Sequence, residues 1–407
     1  MQSSTTVEGD LGPIAVAARS DDPSRAFDPR VRERVARIAS ASAPLADLAG
    51  SFPALLFAIA TGHGSMADRT RAIARVNAGA PLRDIAREFG LAWWLRKLPA
   101  SAFVEPLPHM PDGTEATLQL ANCVPANPRL AAGWLQRVAI AERACGGAFT
   151  LWVARHGPAL PHPLPHDDRF LMLAAWAWFS AATGTRGHRL LRRPWSPDMS
   201  PRKALDELQC WRQRLALVDW LGAGLKRGWI ADGAALGYEF AALRQVEDFI
   251  DAALALDNCL DQFAPHIAAG LSSVVGVKKD GRFVACIEIV PHEQEVSMPA
   301  IQQLRGPRNR GVPPVVWQAA HAWLGGSRIV PFARVRMIAA ATARGAARRE
   351  LWAPFLAHVA GTDLAPQWRR LVTPVVPSMT RLRGVRRAVA SGAGTRAQAL
   401  RPFARDL

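Results

Sequence analysis

Four side chains between positions 259 and 309 combine a nucleophile, a carboxylate and two amides. Cys259 follows an Asp-Asn pair, Glu288 lies in the run "ACIEIV", and Gln303 and Asn309 flank the sequence "LRGPR". A thiolate can attack a carbonyl, a carboxylate or imidazole can take a proton, and an amide can bind or polarise the reacting group. We therefore treat Cys259, Glu288, Gln303 and Asn309 as candidate catalytic residues, with His292 as an alternative base.

The segment 272–290 is predicted to form the β-hairpin that carries Glu288. Two runs rich in β-branched residues, "SSVVGVKK" and "RFVACIEIV", are joined at Asp280 and Gly281, the pair that most favours a two-residue turn. A third strand over about 299–304 would carry Gln303 and extend the sheet.

A regular two-residue turn also predicts the register of the hairpin. Ser273 would lie opposite Glu288, and Val275 would lie opposite Cys286. Cys286 and Glu288 then share one face. The other face is predicted to hold Phe283, Ala285, Ile287 and Ile289.

Cys259 is predicted to lie in the first turn of a short helix. Asp257 has the side chain of an N-cap, and Gly270 would end the helix. A helix N-terminus favours the thiolate form of a cysteine, whereas the nearby carboxylates of Asp257 and Asp261 oppose it. A buried, inert thiol remains the alternative.

The corner after the third strand is predicted to be a tight polar turn. Gly306 allows a positive φ or a close backbone approach, Pro307 favours a turn, and Asn309 can form an Asx turn with its own backbone. The polar groups would converge on Cys259 and Glu288 if the helix packs on the Glu288 face. Otherwise Gln303 and Asn309 hold the loop and take part in no reaction.

The order of these features resembles the PcfJ-like family, named from an accessory protein of a conjugative plasmid. The residues that carry the resemblance lie within about 235–325: Cys259, Phe263, Glu288 in "ACIE", and Gln303, Gly306 and Asn309 in "QLRGPRN". The resemblance implies mobile-element or DNA-associated biology and leaves the chemistry open. Family members often have His before the cysteine and Tyr at the aromatic position, so Asn258 and Phe263 remove that proton relay.

The charge of the chain favours polyanionic partners. Its 407 residues contain 50 basic and 34 acidic side chains, a net charge of +16, and five of the basic residues are lysines, which leaves 45 arginines. A GC-rich codon bias could give the same composition. The candidate phosphate-binding residues are Arg305, Arg308 and Arg310 in the turn and Arg383, Arg386 and Arg387 in the C-terminal tail.

Several classes of site are excluded by what the sequence lacks. Its five cysteines are scattered without C-x-x-C spacing, and no phosphate loop, H-E-x-x-H or Rossmann fingerprint is present. We therefore predict no metal and no cofactor. No apolar run reaches the ~20 residues of a membrane span, and the N-terminal residues do not form a signal peptide, so a cytoplasmic protein that is not embedded in a membrane is expected.

The fold is predicted to be α+β, with mostly α-helical arms around a small antiparallel sheet, a hairpin plus a third strand, in the C-terminal half. The predicted parts are a disordered tail (1–26), an N-terminal helical domain (27–128), a Trp-rich helical region (129–234), the PcfJ-like α+β core (235–325), C-terminal helices (326–378) and a basic tail (379–407).

Two helical regions have alternative interpretations. The run "APLRDIAREFGLAWWLRKLP" could be a helix-turn-helix, but its second helix begins with apolar residues where base-reading side chains would be needed, which favours packing. The tryptophans between 134 and 229 could stack bases, but their helical spacing among apolar residues favours a core. The His- and Asp-containing stretch 156–168 is interrupted by prolines and is predicted to be a surface loop.

Three functions follow as hypotheses. The first is a PcfJ-like protein with a nucleic-acid or mobile-element role, the second is an enzyme with Cys259 as nucleophile, and the third is a protein-interaction scaffold whose Trp-rich helices meet a protein partner. The oligomeric state does not follow from the sequence.

Overall fold

A computed structural model describes residues 22–104, 107, 110, 114–161, 168–222, 224–225, 230–263, 272–292, 298–327, 341–362 and 365–372. The chain divides into two compact units, Met1–Ala139 and Ile140–Leu407. The predicted α+β block and the helices after it therefore belong to the same unit. Residues 1–21 of the predicted N-terminal tail and Arg383, Arg386 and Arg387 lie outside the described residues. The last part of that tail, Pro23–Ala26, is a 3₁₀ helix.

The first unit is helical. Its α-helices are α1 (Pro29–Ala39), α2 (Ala43–Ser51), α3 (Pro53–Thr61), α4 (Met66–Asn77), α5 (Leu82–Glu88), α6 (Thr114–Asn122) and the first part of α7 (Pro128–Ala144). Short 3₁₀ helices cover Pro23–Ala26, Trp93–Lys97 and Ala100–Ala102.

Local sequence signals set the ends of these helices. The Asp28 carboxylate accepts a hydrogen bond from Arg30 N at the start of α1, and Ser65 and Asp68 form a capping box at the start of α4. Gly62, with φ +88°, ends α3 in the left-handed conformation that glycine adopts without strain. The ends of these helices are therefore explained by common capping residues and by glycine in the left-handed conformation.

The apolar runs that are too short to cross a membrane are core helices, as predicted. The run 51–62 forms α3, which is buried from Pro53 to Ile59, and the run 170–184 supplies most of α9 (Arg169–Ala181). Among the described residues, no helix is both long enough and apolar enough to span a bilayer.

The second unit combines helices with a sheet. After α7 come α8 (Gly147–His156), α9, α10 (Arg186–Arg189), α11 (Pro201–Leu221), α12 (Val246–Leu256), α13 (Pro314–Gly326), α14 (Ala341–Val359) and α15 (Ala365–Val372). The strands are β1 (Gly233–Ala235), β2 (Tyr238–Ala242), β3 (Ser273–Lys279), β4 (Arg282–Pro291) and β5 (Pro299–Arg305). The predicted α+β class is confirmed.

The sheet is an antiparallel meander in the order β1-β2-β3-β4-β5. The predicted hairpin at Asp280 and Gly281 consists of β3 and β4, and the predicted third strand is β5. The strands β1 and β2 were not predicted. Asp280 has φ +52° and Gly281 has φ +72°, the two consecutive positive angles that a type I′ turn needs.

Each face of the sheet packs against a different helix. On one face Ile287, Ile289 and their neighbours form a core with α13, where the Phe240 and Trp323 rings stack with centroids 4.7 Å apart. On the other face α12 packs against β4. Cys286 and Glu288 are both absent from the α13 core, and they share the α12 face, as predicted.

The predicted register of the hairpin is wrong by one residue. Ser273 lies opposite Ile289, Val274 opposite Glu288, and Gly276 opposite Cys286. The cause is a β-bulge, because the pairing shifts between Val277 and Lys278 and leaves an extra residue in β4. The turn residues in the sequence do not predict this bulge.

The same bulge moves Phe283 to the face opposite to the one predicted. A Cβ placed on Gly276 would lie 2.6 Å from Cε1 of the Phe283 ring, so the ring covers this glycine on the Cys286 face. Leu243, just before α12, comes within 3.2 Å of the same position. Gly276 therefore lets the Phe283 ring approach the strand closely, which a larger residue would prevent.

Candidate functional site

Glu288, which is buried, and Gln303, which is half-buried, form a polar pair across β4 and β5. The two residues are direct register partners, and Gln303 Nε2 donates to Glu288 Oε2 at 2.9 Å. Ser272 Oγ donates to the other carboxylate oxygen at 2.6 Å. Glu288 is 6% exposed, so both oxygens of a buried carboxylate are hydrogen-bonded, as the cost of an unpaired buried charge demands.

The helix predicted to begin at Asp257 is not observed among the described residues. Asp257 is the C-cap of α12, with φ +47°, and Cys259 precedes a single 3₁₀ turn over Leu260–Gln262. The α12 helix ends here because a residue in the left-handed conformation terminates it. Gly270 lies outside the described residues. Cys259 therefore does not lie at the N-terminus of the predicted helix, which was expected to favour its thiolate form.

The corner after β5 is a 3₁₀ turn, Pro307–Asn309, with an unusual backbone. Arg308 has φ +54° and Asn309 has φ +58°, whereas Gly306 has φ −90°. Of the two roles predicted for Gly306, a positive φ or a close approach, the positive φ is not observed. Its close-approach role holds, since a Cβ on Gly306 would lie 3.2 Å from Val312 Cγ1.

The corner and the end of α12 meet through two side-chain contacts. Asn309 Nδ2 donates to Cys259 Sγ at 3.7 Å, and Arg308 Nε donates to Asp257 Oδ2 at 2.9 Å. The predicted Asx turn thus gives way to a contact with the thiol. Three residues with positive φ other than glycine, Asp257, Arg308 and Asn309, lie within these contacts, and such backbone outliers concentrate at functional sites.

A buried ion pair with α11 holds the segment that contains Cys259. Arg214 Nε of α11 donates to Asp261 Oδ2 at 2.8 Å, both side chains being almost fully buried. Arg214 Nη1 also donates to Leu190 O at 3.1 Å. Asp261 was predicted only as a charge near the thiol, and its partner Arg214 was not predicted. The signal that could have found it is an arginine at an inward position of an otherwise apolar helical face.

The four candidate catalytic residues thus form two pairs, Cys259 with Asn309 and Glu288 with Gln303. The thiol is exposed, while the carboxylate is buried and hydrogen-bonded within the sheet. His292 follows the end of β4 remote from the corner, six residues beyond Cys286 and therefore roughly 20 Å along the strand. Neither candidate base is shown in contact with Cys259 Sγ.

The other cysteines of the second unit differ from Cys259. Burial raises the pKa of the Cys286 thiol to about 12, and it also raises the pKa of Cys145 and Cys210. A thiol with a raised pKa stays protonated and unreactive at neutral pH. Cys259 is the exposed cysteine among those that the structure describes.

The predicted phosphate-binding residues of the turn are at the surface. Arg305, Arg308 and Arg310 are all exposed, and β5 ends at the same end of the sheet as the β3–β4 turn because the strands are antiparallel. We call this region the hairpin end. Its basic residues are Lys278, Lys279, Arg282, Arg305, Arg308 and Arg310.

The alternative sites of the sequence analysis receive little support. The second part of the helix-turn-helix candidate is the 3₁₀ turn Trp93–Lys97, in which Trp94 and Leu95 are each 1% exposed. Positions 162–167 of the His- and Asp-containing stretch lie outside the described residues. Within the described part of the chain, no group of three or more potential ligands could hold a metal ion.

Four of the seven described tryptophans between positions 134 and 220 lie in the core, as predicted, and Trp178, Trp195 and Trp220 are half-buried. Trp134, Trp152, Trp176 and Trp211 are at most 1% exposed. Trp211 packs edge-to-face on Trp352, with ring centroids 5.9 Å apart. These four rings are therefore not available for stacking on bases.

Comparison of the chain with protein-family models, with curated proteins and with solved structures finds no match. The resemblance to the PcfJ-like family stays a prediction.

Proposed function

We propose that this protein binds nucleic acid and that the hairpin end contacts the phosphate backbone. The observation that carries the proposal is the grouping of six basic residues from two segments of the chain, 278–282 and 305–310, at one end of the sheet. The group extends over two inter-strand spacings, roughly 10 Å, across the sheet and over roughly 13 Å along it, because Arg305 pairs with Cys286, four residues after Arg282. A concentrated basic surface of this kind attracts a polyanion.

The hairpin end keeps an excess of positive charge after its acids are counted. Asp280 in the turn and Glu239, the register partner of Lys278, are the acids of the strands here. Arg308 uses Asp257. Among the described residues, Arg305 and Arg310 form no ion pair, so both guanidinium groups are available to phosphate oxygens.

Two of the cations lie over aromatic rings. Lys278 Nζ is 4.5 Å from the Phe283 ring centroid, and Lys279 Nζ is 5.5 Å from the Tyr238 centroid. These contacts hold the ammonium groups near the sheet end. Contacts to phosphates carry no sequence information, so we propose binding that depends strongly on salt and weakly on sequence.

The resemblance to the PcfJ-like family agrees with this proposal, because it implies DNA-associated or mobile-element biology. A role in a mobile element is part of the proposal on that ground alone. The net charge of +16 agrees with it as well.

The other two hypotheses have weaker support. A thiol-dependent enzyme has the Asn309 contact in its favour, but both Glu288 oxygens are engaged in the sheet and His292 lies near its other end. A scaffold that presents tryptophans would need exposed rings, whereas Trp134, Trp152, Trp176 and Trp211 are in the core and the other described tryptophans of the helical region are half-buried. Nucleic-acid binding is the function that the arrangement supports best.

The test is fluorescence anisotropy of labelled single-stranded and double-stranded DNA and RNA across a salt series. In the triple variant Arg305→Gln, Arg308→Gln and Arg310→Gln we expect binding to weaken about 10- to 100-fold at low salt. The log-log salt slope should fall by about 2 to 3, because each lost phosphate contact removes about 0.9 from the slope for duplex DNA.

The matched control removes the same charge elsewhere. Arg34, Arg83 and Arg129 are exposed residues of the first unit, and their triple Gln variant should bind almost as the wild type does. Equal losses in the two triple variants would assign the binding to net charge and exclude the hairpin end. Absence of salt-dependent binding in the wild type would reject the function itself.

A further inference from the structure

Leu236 lies at the tip of the β1–β2 turn in a conformation that does not suit a leucine. It has φ +48°, and Gly237 after it has φ +80°. The turn is a two-residue loop, since Ala235 pairs with Tyr238, and its two positive angles are those of type I′. Gly, Asn and Asp dominate such turns because other side chains are strained there. The Leu236 side chain is also 62% exposed, so neither the backbone nor burial accounts for a leucine here.

This turn lies at the hairpin end, beside the β3–β4 turn. Glu239 of β2 lies opposite Lys278 of β3 in an antiparallel pair, so the turn before β2 and the turn after β3 are at the same end of the sheet. The two turns are centred two inter-strand spacings, roughly 10 Å, apart. Lys279 and Arg282 flank the second turn, and both are exposed. An exposed apolar side chain therefore lies beside the basic residues that we assign to phosphate.

The aromatic rings at the hairpin end are already engaged. Tyr238 is 7% exposed, and Lys279 Nζ lies 5.5 Å from its ring centroid. The Phe283 ring packs against β3, and Lys278 Nζ lies 4.5 Å from its centroid. Proteins that bind single strands stack unpaired bases on open aromatic faces. The hairpin end therefore favours a duplex, to which it presents the aliphatic side chain of Leu236.

We propose that Leu236 is a wedge that enters between two stacked base pairs of duplex DNA, so that the hairpin end bends the DNA that it binds. This inference rests on the proposed nucleic-acid binding. Proteins that bend DNA insert leucine and other apolar side chains between base steps from the minor groove, and the duplex kinks toward the major groove. Lys279 and Arg282 contact the phosphates beside the opened step. The leucine leaves water as it enters, which offsets part of the cost of unstacking.

The turn holds this wedge in a fixed position. Strands β1 and β2 pair on either side of the two-residue loop, and β2 also pairs with β3. A side chain on a rigid support loses less conformational entropy on binding than one on a flexible loop. Because TA and CA/TG steps unstack more easily than other steps, the wedge adds a modest preference for these steps to the phosphate contacts.

The test uses a duplex of about 25 base pairs that carries donor and acceptor dyes at its ends and 2-aminopurine in place of the adenine of a central TA step. Saturating wild-type protein should raise energy transfer, because a kink of about 20 to 90° brings the two ends closer. It should also raise the 2-aminopurine fluorescence, because the base loses a stacking neighbour. In Leu236→Asn both rises should fall at least about fivefold, while the basic residues still bind the duplex.

Leu236→Asn is expected to fold, because asparagine adopts a positive φ more readily than leucine does. Its thermal midpoint should not lie below that of the wild type, and a lower midpoint would assign the leucine to the fold and overturn the proposal. The matched control is Leu118→Asn. It replaces a leucine of α6 that is also 62% exposed, and it should raise both signals as the wild type does.

The outcomes separate the wedge from nucleic-acid binding itself. A wild type that binds duplex DNA with a steep salt dependence but changes neither signal would overturn the wedge and leave the proposed function in place. Equal signals from the wild type and Leu236→Asn would do the same, as would tighter binding to single-stranded DNA or to RNA than to duplex DNA. A wild type that binds none of these nucleic acids would reject both proposals.

Discussion

The two polar pairs of the sheet region differ in almost every physical property. Glu288 and Gln303 lie on adjacent strands under α12, and Ser272 completes the hydrogen bonding of the carboxylate. Cys259 and Asn309 meet at the surface through one long contact, beside the Arg308–Asp257 ion pair. Burial therefore divides the four candidate catalytic residues into a pair that stabilises the sheet and a pair that is accessible to solvent.

The difference predicts opposite consequences of mutation. Removing a partner from the buried pair leaves polar atoms without hydrogen bonds and destabilises the fold. The exposed pair is surrounded by solvent, and ion pairs at the surface contribute about 0 to 1 kcal/mol. Changes there should alter accessibility or binding and leave the free energy of unfolding nearly unchanged.

The largest expected effect is a difference in reactivity between two thiols, Cys259 of the exposed pair and Cys286, which lies two residues before Glu288. At pH 8 we expect a thiol reagent to modify Cys259 at least about 1000-fold faster than Cys286, which neighbours Glu288 on β4. Cys286 is buried and its raised pKa of about 12 keeps it protonated, so it reacts when the sheet opens. Mass spectrometry of timed, quenched samples measures both rates.

The control for this labelling is Cys259→Ser, in which the fast phase should vanish while the slow reaction of Cys286 is unchanged. Comparable rates for the two thiols would show that the sheet opens readily and would remove the contrast between the pairs.

The second effect is the loss of stability on truncating Glu288. Glu288→Ala should reduce the free energy of unfolding by about 2 to 4 kcal/mol, because Ser272 and Gln303 lose their buried acceptor. Urea denaturation followed by circular dichroism measures it. Asn309→Ala, the matched truncation in the exposed pair, should cost under about 1 kcal/mol. If Asn309→Ala lost as much stability as Glu288→Ala, the difference between the two pairs would be contradicted.

The smallest effect is expected at the corner. Arg308→Gly relieves a positive φ that costs arginine about 1 to 2 kcal/mol. The greater freedom of glycine in the unfolded chain, about 0.4 to 1 kcal/mol, and the loss of the exposed pair with Asp257 oppose this gain. We expect a net change within about 0.5 kcal/mol by urea denaturation. A loss above about 1.5 kcal/mol would mean that the corner supports the fold.

Much of the fold could be predicted from local signals. The Asp280-Gly281 turn, the strand after it and the burial of the apolar helices all follow from short-range sequence preferences. The register could not be predicted, because the bulge after Val277 depends on how β3, β4 and their helices pack. The sequence signals also assigned Asp257 to the start of a helix, although an Asp can end one in the left-handed conformation.

The α+β class, the position of the hairpin and the set of polar residues available for chemistry all follow from sequence patterns. The contacts of Cys259 with Asn309, of Glu288 with Gln303, and of Arg214 with Asp261, 47 residues away, depend on the packing of distant segments. The physical reason is that turns and caps depend on neighbouring residues, whereas burial and pairing depend on segments brought together in space.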